Sequence, residues 1–238
     1  MPAHLLLRLE APLMSFGSTA VDHHRPVQPW PAVSMLTGLL ANALGWTRGD
    51  AAALDRLQAR IRWAARIDRA GGLLNDFQTA QLAKTDRGWT TRGTVETRGG
   101  GDASYDSPHL RYRDYRADAS VLVALRLDPE EEAPTLADLS AALNSPRRPL
   151  FLGRKGCVPA TRVGLGIVEA GDALLALQQV PAIDDGDEPN AAAVYFNTGA
   201  AEVGPAHRVH QATDERRFSL DVHAGRQAVY ERVRKVTA

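Results

Sequence analysis

Disulfides are the first feature this chain cannot have. Its 238 residues include a single cysteine, Cys157, so no internal bridge can form, and a reducing, cytoplasmic setting is expected. Long apolar runs are also missing. Stretches such as Leu5–Leu7 and Leu39–Leu44 fall far short of the roughly 18 residues needed to cross a bilayer, so no membrane association is expected. No basic head followed by an apolar core opens the chain, because Arg8 already interrupts Leu5–Leu9; a secretory leader is not expected. Net charge is absent, with 28 Lys and Arg against 28 Asp and Glu, which argues against a protein that coats nucleic acid by bulk charge. There is no G-x-S-x-G elbow and no G-x-x-x-x-G-K-[ST] phosphate loop, so neither a serine hydrolase nor a nucleotide cradle is announced. His207 and His210 stand three apart, but no second pair or nearby cysteine completes a four-ligand site, so no metal and no cofactor is expected. Cys157 sits in Gly-Cys-Val without a paired base and reads as a small buried apolar residue.

What is present is a globular composition, 44% hydrophobic and 24% charged, suited to one large domain or one domain with a small appendage. Its charges are segregated. Ala141–Arg162 holds five bases (Arg147, Arg148, Arg154, Lys155, Arg162) and no acid, Val163–Gly204 holds seven acids and no base, and Pro205–Ala238 carries seven bases against four acids. Such a chain can present a local anion-binding face while remaining neutral.

His4–Leu9 reads as a first strand and Ala11–Pro29 as a long loop. Pro31–Leu44 reads as a helix, with Val33, Leu36, Leu40 and Ala43 on one face, Pro31 in the first turn and Gly45 just past the end. Asp50 suits the cap of a second helix carrying Leu54 and Leu57. Ile61–Asp68 alternates as a half-buried strand, and after Gly71-Gly72 the segment Leu73–Ala80 is expected to pair back as a hairpin. Ala119–Leu127 is the clearest strand and should be central. Thr135 and Asp138 form a capping-box variant ahead of Leu136, Leu139 and Leu143. Leu150–Leu152, Arg162–Glu169, Val194–Asn197 and Phe218–Val222 read as strands, Asp172–Gln179 as a helix and Pro181–Pro189 as an acidic loop. Between them, Gln81–His109 has almost no aliphatic residues and contains Gly99-Gly100-Gly101; an excursion of this kind is functional or mobile. Without it, the order is β-α-β-β-α-β, the ferredoxin-like unit, which with a basic face is a frequent RNA-binding platform.

Two clusters carry chemistry. Gly153-Arg154-Lys155-Gly156 brackets two cations with glycines whose N–H groups are open to a phosphate. Arg111-Tyr112-Arg113-Asp114-Tyr115-Arg116 interleaves cations with aromatics; as a strand it places Arg111, Arg113 and Tyr115 on one face and Tyr112, Asp114 and Arg116 on the other. Arginine forks grip phosphates and tyrosine rings stack on bases. The bland alternatives are a solvated turn and an ordinary amphipathic strand.

Leu5-Leu6-Leu7-Arg8-Leu9 with Ala11-Pro12-Leu13 and Ser15-Phe16-Gly17, then Arg25-Pro26, Pro29 to Pro31 and Ser34-Met35-Leu36-Thr37-Gly38-Leu39-Leu40, resemble the opening strand and first helix of one family. Tyr112-Arg113-Asp114-Tyr115 with Asp118-Ala119-Ser120, and Pro149-Leu150-Phe151-Leu152-Gly153-Arg154-Lys155-Gly156-Cys157, are similar to its central strand and its glycine-arginine-basic stretch. The family is the CRISPR-associated RAMP proteins, in particular the CasD-type subunits of the type I-E Cascade complex. The similarity spans residues 4–157, with Arg226 beyond it, and departs at Val33, where the family often has a basic residue.

The resemblance implies an α+β fold: a ferredoxin-like (RRM-like) RAMP domain over 1–155, a β-hairpin thumb inserted at about 82–111, and a smaller, mostly β region over 156–238. It implies a non-catalytic CRISPR RNA-binding subunit that caps the 5′ handle of the RNA in an antiviral ribonucleoprotein complex. The implied partners are that RNA, the backbone RAMP subunit and the large subunit, with target DNA reached only through the complex. Together with the basic clusters, it nominates Arg25, Ser34, Arg111, Arg113, Arg116, Arg147, Arg148, Arg154, Lys155 and Arg226 as RNA-binding residues. The excursion is expected to order only against RNA and a partner, and the acidic run Asp184–Glu188 to point away from RNA. The alternative is a metal-independent endoribonuclease acting on CRISPR repeat RNA. That reaction needs a base for the 2′-OH and an acid or cation at the leaving oxygen; the candidates are His23, His24, His109 or Tyr105 with Lys155.

Overall fold

The computed structural model describes residues 1–20, 22–81, 88–89, 95–96, 108–183, 191–197, 206, 208–223 and 225–235. In chain order its elements are β1 (Ala3–Glu10), β2 (Leu13–Met14), β3 (His24–Arg25), α1 (Val33–Leu44), α2 (Ala51–Arg60), β4 (Ile61–Arg69), β5 (Gly72–Ala80), β6 (Gly88–Trp89), β7 (Val95–Glu96), β8 (His109–Ala117), β9 (Ser120–Leu127), α3 (Leu136–Asn144), β10 (Gly164–Glu169), α4 (Ala173–Gln178), β11 (Ala191–Phe196), β12 (Arg208–Ala212), β13 (Arg216–Arg217), β14 (Val222–His223) and β15 (Gln227–Lys235). It is a mixed α/β fold, mostly antiparallel sheet with few helices.

The principal sheet runs β10-β1-β9-β4-β11-β15-β12, antiparallel at every junction. One face packs against α1, α2 and α3 through Leu5, Leu7, Leu9, Leu36, Leu40, Leu57, Val123, Leu125 and Leu139. The other packs against α4 through Leu6, Ala64, Leu122, Ala124, Ala176 and Leu177. Tyr195, Ala212 and Val229 belong to the first cluster, so the boundary expected at 155/156 falls inside one continuous sheet and core.

The central strand expected at Ala119–Leu127 is β9, paired on both edges. Thr135 and Asp138 make the capping box of α3, and Asp172 caps α4 by accepting from the Leu175 N–H at 2.7 Å. Gly45 ends α1 in the left-handed region, φ 84°, and Pro31 stands one residue ahead of the N-cap Ala32 instead of in the first turn. Asp50 is the N-cap residue of α2, its carbonyl accepting from the Leu54 N–H at 3.0 Å, but its side chain makes no cap bond; its carboxylate accepts from the Thr47 N–H and hydroxyl at 2.7 and 2.9 Å, and the backbone bond above all lowers its pKa.

Several expectations are corrected. Strand β4 is covered on both faces, with Arg66 and Asp68 buried. The Asp68 carboxylate accepts from Arg8 and Arg66, while Arg66 also donates to the carbonyls of Leu177, Val180 and Pro181 at 2.7, 3.0 and 3.2 Å, closing the end of α4. The segment after Gly71-Gly72 does not fold back on β4, whose edges are taken by β9 and β11. It pairs forward with β8 over nine register positions, Gly72↔Ala117 to Ala80↔His109. Gly71 allows that departure, with φ 63° and a site where a Cβ would lie 2.2 Å from the Ala117 carbonyl. The loop Ala11–Pro29 contributes β2 and β3 to the other edge of β8, antiparallel and parallel respectively. Leu150–Leu152 is irregular, tied by Ser15 N–H to Leu152 O (3.0 Å) and Leu152 N–H to Cys157 O (2.8 Å), and Phe218–Asp221 is the turn between β13 and β14. Strands β12 and β15 carry no apolar run to announce them; among the described side chains of β15 only Val229 is fully buried.

The excursion of the sequence leaves from β5 and returns through β8. Within it β6 and β7 pair antiparallel; residues 82–87, 90–94 and 97–107, with most of the expected thumb, and the acidic run 184–188 lie outside the described residues.

Candidate nucleic-acid interface

The second sheet, centred on β8, sorts its side chains by strand parity. Register pairs Phe77 with Tyr112, Asn75 with Asp114, and Asp76 with Arg113, and β3 sets Arg25 beside Arg113. Arg25, Arg111, Arg113 and Tyr115 therefore share one face, while Tyr112, Asp114, Phe77 and Leu73 share the other. On that second face, buried Asp114 accepts from His24 Nε2 at 3.0 Å and from Asn75 Nδ2 at 2.6 Å, and Tyr112 stands between His23 and Phe77, with ring centres 5.5 and 5.1 Å away.

The basic face opens into a cleft of about 820 Å³. Its floor is the first turns of α1, with Ser34, Met35 and Gly38; its sides include Arg25, Arg111, Arg113 and the loop Gly153–Gly156. That loop is fixed by close backbone approach. Gly153 has φ 98°, and a Cβ there would sit 1.8 Å from the Ser15 carbonyl oxygen, so only glycine fits. Arg154 reaches across from the loop to the sheet, donating to Asp114 O at 3.1 Å and Arg25 O at 3.4 Å, with its guanidinium carbon 4.5 Å from the Tyr115 ring centre. It is thus both a strut and a cation of the cleft, whereas Lys155 is exposed beside it. Cys157, buried behind the loop, donates its N–H to Arg154 O at 2.9 Å, and burial pushes its thiol pKa up, away from nucleophilic use.

Six of the nominated residues therefore meet in one cleft: Arg25, Ser34, Arg111, Arg113, Arg154 and Lys155. Four do not. Arg116 points to the opposite face, with its Nε buried and without a hydrogen-bond partner. Arg147 and Arg148 close the far end of α1, the first through its N–H to Ala43 O at 2.9 Å and the second by donating to Trp46 O at 3.0 Å. Arg226 is exposed on the approach to β15, outside the lining.

The histidines nominated for RNA cleavage do not converge on Lys155. His24 bonds Asp114 and His23 bonds Asp22 at 2.8 Å, both beside Tyr112 on the opposite face; His109 is the first residue of β8 and lies outside the lining, and Tyr105 lies outside the described residues. Among the described residues no three His, Cys, Asp or Glu side chains group as a metal site, and no helix is long and apolar enough to cross a membrane.

A wall that the sequence did not point to completes the cleft: Asp214, Arg216, Phe218 and His223. Partial burial, then the charge of Arg216, lower the His223 pKa. The excess of bases after Pro205 was the one hint of this wall, and it named no residue.

Residues 4–237 match the family model of CRISPR-associated protein (Cas_Cas5). The chain is 31% identical over 186 residues to the CRISPR system Cascade subunit CasD of Escherichia coli (strain K12), covering 74% of this chain and 76% of that one. Its fold matches a chain of a CRISPR RNA-guided surveillance complex with a TM-score of 0.70 at 24% identity, over 98% of this chain and 90% of the other. A crystal structure of a Cas protein matches with a TM-score of 0.61 at 30% identity, over 98% and 94%. The chain belongs to the CRISPR-associated Cas5 family.

Proposed function

We propose that this protein is a CRISPR RNA-binding subunit of a Cascade-type surveillance complex, acting in the cytoplasm without catalysing a reaction of its own, and that its cleft holds the 5′ handle of the RNA. The observation that carries this reading is the convergence of cations from separate segments (β3, β8 and the Gly153–Gly156 loop) on one cleft with an aromatic ring beside them, the equipment for gripping a single-stranded phosphate backbone. Membership of the Cas5 family and the 31% identity to a Cascade subunit support the same role. The strand order β10-β1-β9-β4 with α1 and α3 between strands supports a ferredoxin-like core that extends to Glu169, with β11, β12 and β15 of the later region added along its β4 edge. Strands β5 and β8 form the root of the inserted thumb in this reading. The exposed Leu73 and Phe77 behind the cleft suit contact with the adjacent backbone subunit, and the large subunit is the other expected neighbour.

The test is RNA binding by the assembled complex. Wild-type complex is expected to co-purify a discrete CRISPR RNA, and Arg154→Glu with Lys155→Glu is expected to weaken binding of the handle RNA by about 3–6 kcal/mol, two charge-assisted contacts of about 1.5–3 kcal/mol each. Repeat RNA incubated with the protein in chelator is expected to stay intact. Unchanged affinity in a folded double variant at moderate salt overturns the placement of the site; site-specific cutting overturns the non-catalytic reading.

A further inference from the structure

The wall formed by Arg216 and Phe218 is mounted apart from the β8 sheet and the Gly153–Gly156 loop. It is fastened to α2, not to the β8 sheet. Gln58 of α2 bonds Arg216 as a neighbouring strand would: its Nε2 donates to the Arg216 carbonyl at 2.9 Å and its Oε1 accepts from the Arg216 N–H at 3.1 Å. Asp55, one turn earlier, accepts from the Phe218 N–H at 2.9 Å. Asp214 anchors the start of the same segment, accepting from the Val33 N–H at 3.2 Å and from Gln227 at 2.8 Å. These bonds hold the backbone of the segment and leave the Arg216 and Phe218 side chains half-buried in the cleft lining.

The two side chains also stand together. The Arg216 guanidinium carbon is 5.9 Å from the centre of the Phe218 ring, and Asp221 accepts from one of its nitrogens. Both residues line the basic cleft. An aromatic face beside an arginine is the pair that holds one unpaired nucleotide, the base against the ring and the phosphate on the guanidinium. We infer that Phe218 and Arg216 form a subsite for a single unstacked nucleotide of the bound RNA. This subsite rests on the RNA-binding reading above and adds a specific contact on the α2-mounted wall, across a different set of supports from Arg154 and Lys155.

The experiment is an abasic scan. A single-stranded RNA matching the repeat-derived 5′ end of the CRISPR RNA, and versions of it lacking one base at a time, are titrated against the full chain and against Phe218→Ala, Phe218→Leu and Phe218→Tyr. One position is expected to lose affinity about fivefold to a hundredfold in the wild-type chain, the range for one stacked base. That sensitivity should persist in Phe218→Tyr and vanish in Phe218→Ala and Phe218→Leu, the leucine variant keeping the packing if the alanine variant does not fold. Arg216→Ala should weaken every RNA of the series by one common factor. Wild-type-like abasic profiles in both Phe218→Ala and Phe218→Leu, or a uniform loss at all positions, overturn the subsite while leaving RNA binding intact. Failure of the wild-type chain to bind any of these RNAs overturns instead the reading on which the subsite rests.

Discussion

The two larger sheets of this molecule follow opposite rules, although the chain passes between them through links of only two residues. In the seven-stranded sheet, Leu5, Leu7, Leu9, Val121, Val123 and Leu125 are fully buried, and even Asp68 has been drawn inside with two arginines to neutralise it. In the β8 sheet, Leu73 is 63% and Phe77 53% exposed, and arginines occupy the face a small sheet would normally bury. One passage leaves at Gly71, and the return is made at Asp118 and Ala119, where Asp118 takes φ 61°, a conformation aspartate tolerates better than most residues. The buried core thus lies on one side of that joint and the candidate interface on the other. Strands β1, β4 and β9 are covered on both faces, and the candidate interface lies on the smaller sheet and a loop.

Substitutions can break that division or sharpen it. The largest effect is expected from Asp68→Asn. It leaves Arg8 and Arg66 facing each other in the interior without a carboxylate, and removing one partner of a buried ionic group costs about 3–5 kcal/mol. Urea unfolding should show the loss, while RNA affinity of the folded fraction stays unchanged; a loss of affinity without a loss of stability would erase the distinction between the sheets.

A smaller effect is expected on the recognition side from Gly153→Ala. The positive φ and the approach to Ser15 O force the loop to move at a cost of about 1–3 kcal/mol. Because the loop carries Arg154 and Lys155, affinity for handle RNA should fall as well, read by parallel titration and unfolding. An alanine variant matching wild type in both would show that the loop is not held by this contact.

The smallest effect concerns pH. Burial raises the Asp214 pKa above its ordinary 3.8, against the lowering bonds from Gln227 and Val33. The folded state therefore keeps this proton where the unfolded chain has released it. The contribution to stability is fullest below 3.8 and is lost as pH rises through the folded value. Asp214→Asn removes that dependence, so its unfolding free energy should gain on wild type across this rise and run parallel above it. A difference that slopes the other way, measured by urea melts at successive pH values, would contradict the burial account.

Much of the main sheet was legible because its signals are local. The apolar spacing of Val33, Leu36, Leu40 and Ala43, the Thr135–Asp138 box and the unbroken run of β9 each lie within a few residues of one another. The alternation from Arg111 to Arg116 was legible for the same reason, since strand parity alone assigns its faces. What escaped needed distant partners. Arg66 and Asp68 look like solvent-facing residues until α4 arrives over them. Leu73–Ala80 looks like the return arm of a hairpin until β9 and β11 are seen to occupy β4. Arg216 and Phe218 become part of a cleft through Gln58 and Asp55 of α2, 158 and 163 residues away from them. Charge counting found the basic block from Ala141 to Arg162 but could not divide it. Arg147 and Arg148 go to the end of α1, and Arg154 and Lys155 to the cleft.

The bond between Val33 N–H and Asp214 has a consequence for the order in which the molecule can be completed. Helix α1 has no side-chain cap of its own and no acid in its first turn, so its first free donor is met by a residue synthesised 181 positions later. Throughout most of translation the start of this helix, which is also the floor of the cleft, has only water to bond. The helix can pack on β1 and β9 early, but the end that floors the cleft acquires its final partner only when Asp214 has been made. The cleft is therefore completed only after Asp214 and Phe218 have been made, and a shorter nascent chain presents its loop and its arginines without the helix end and the wall that belong with them.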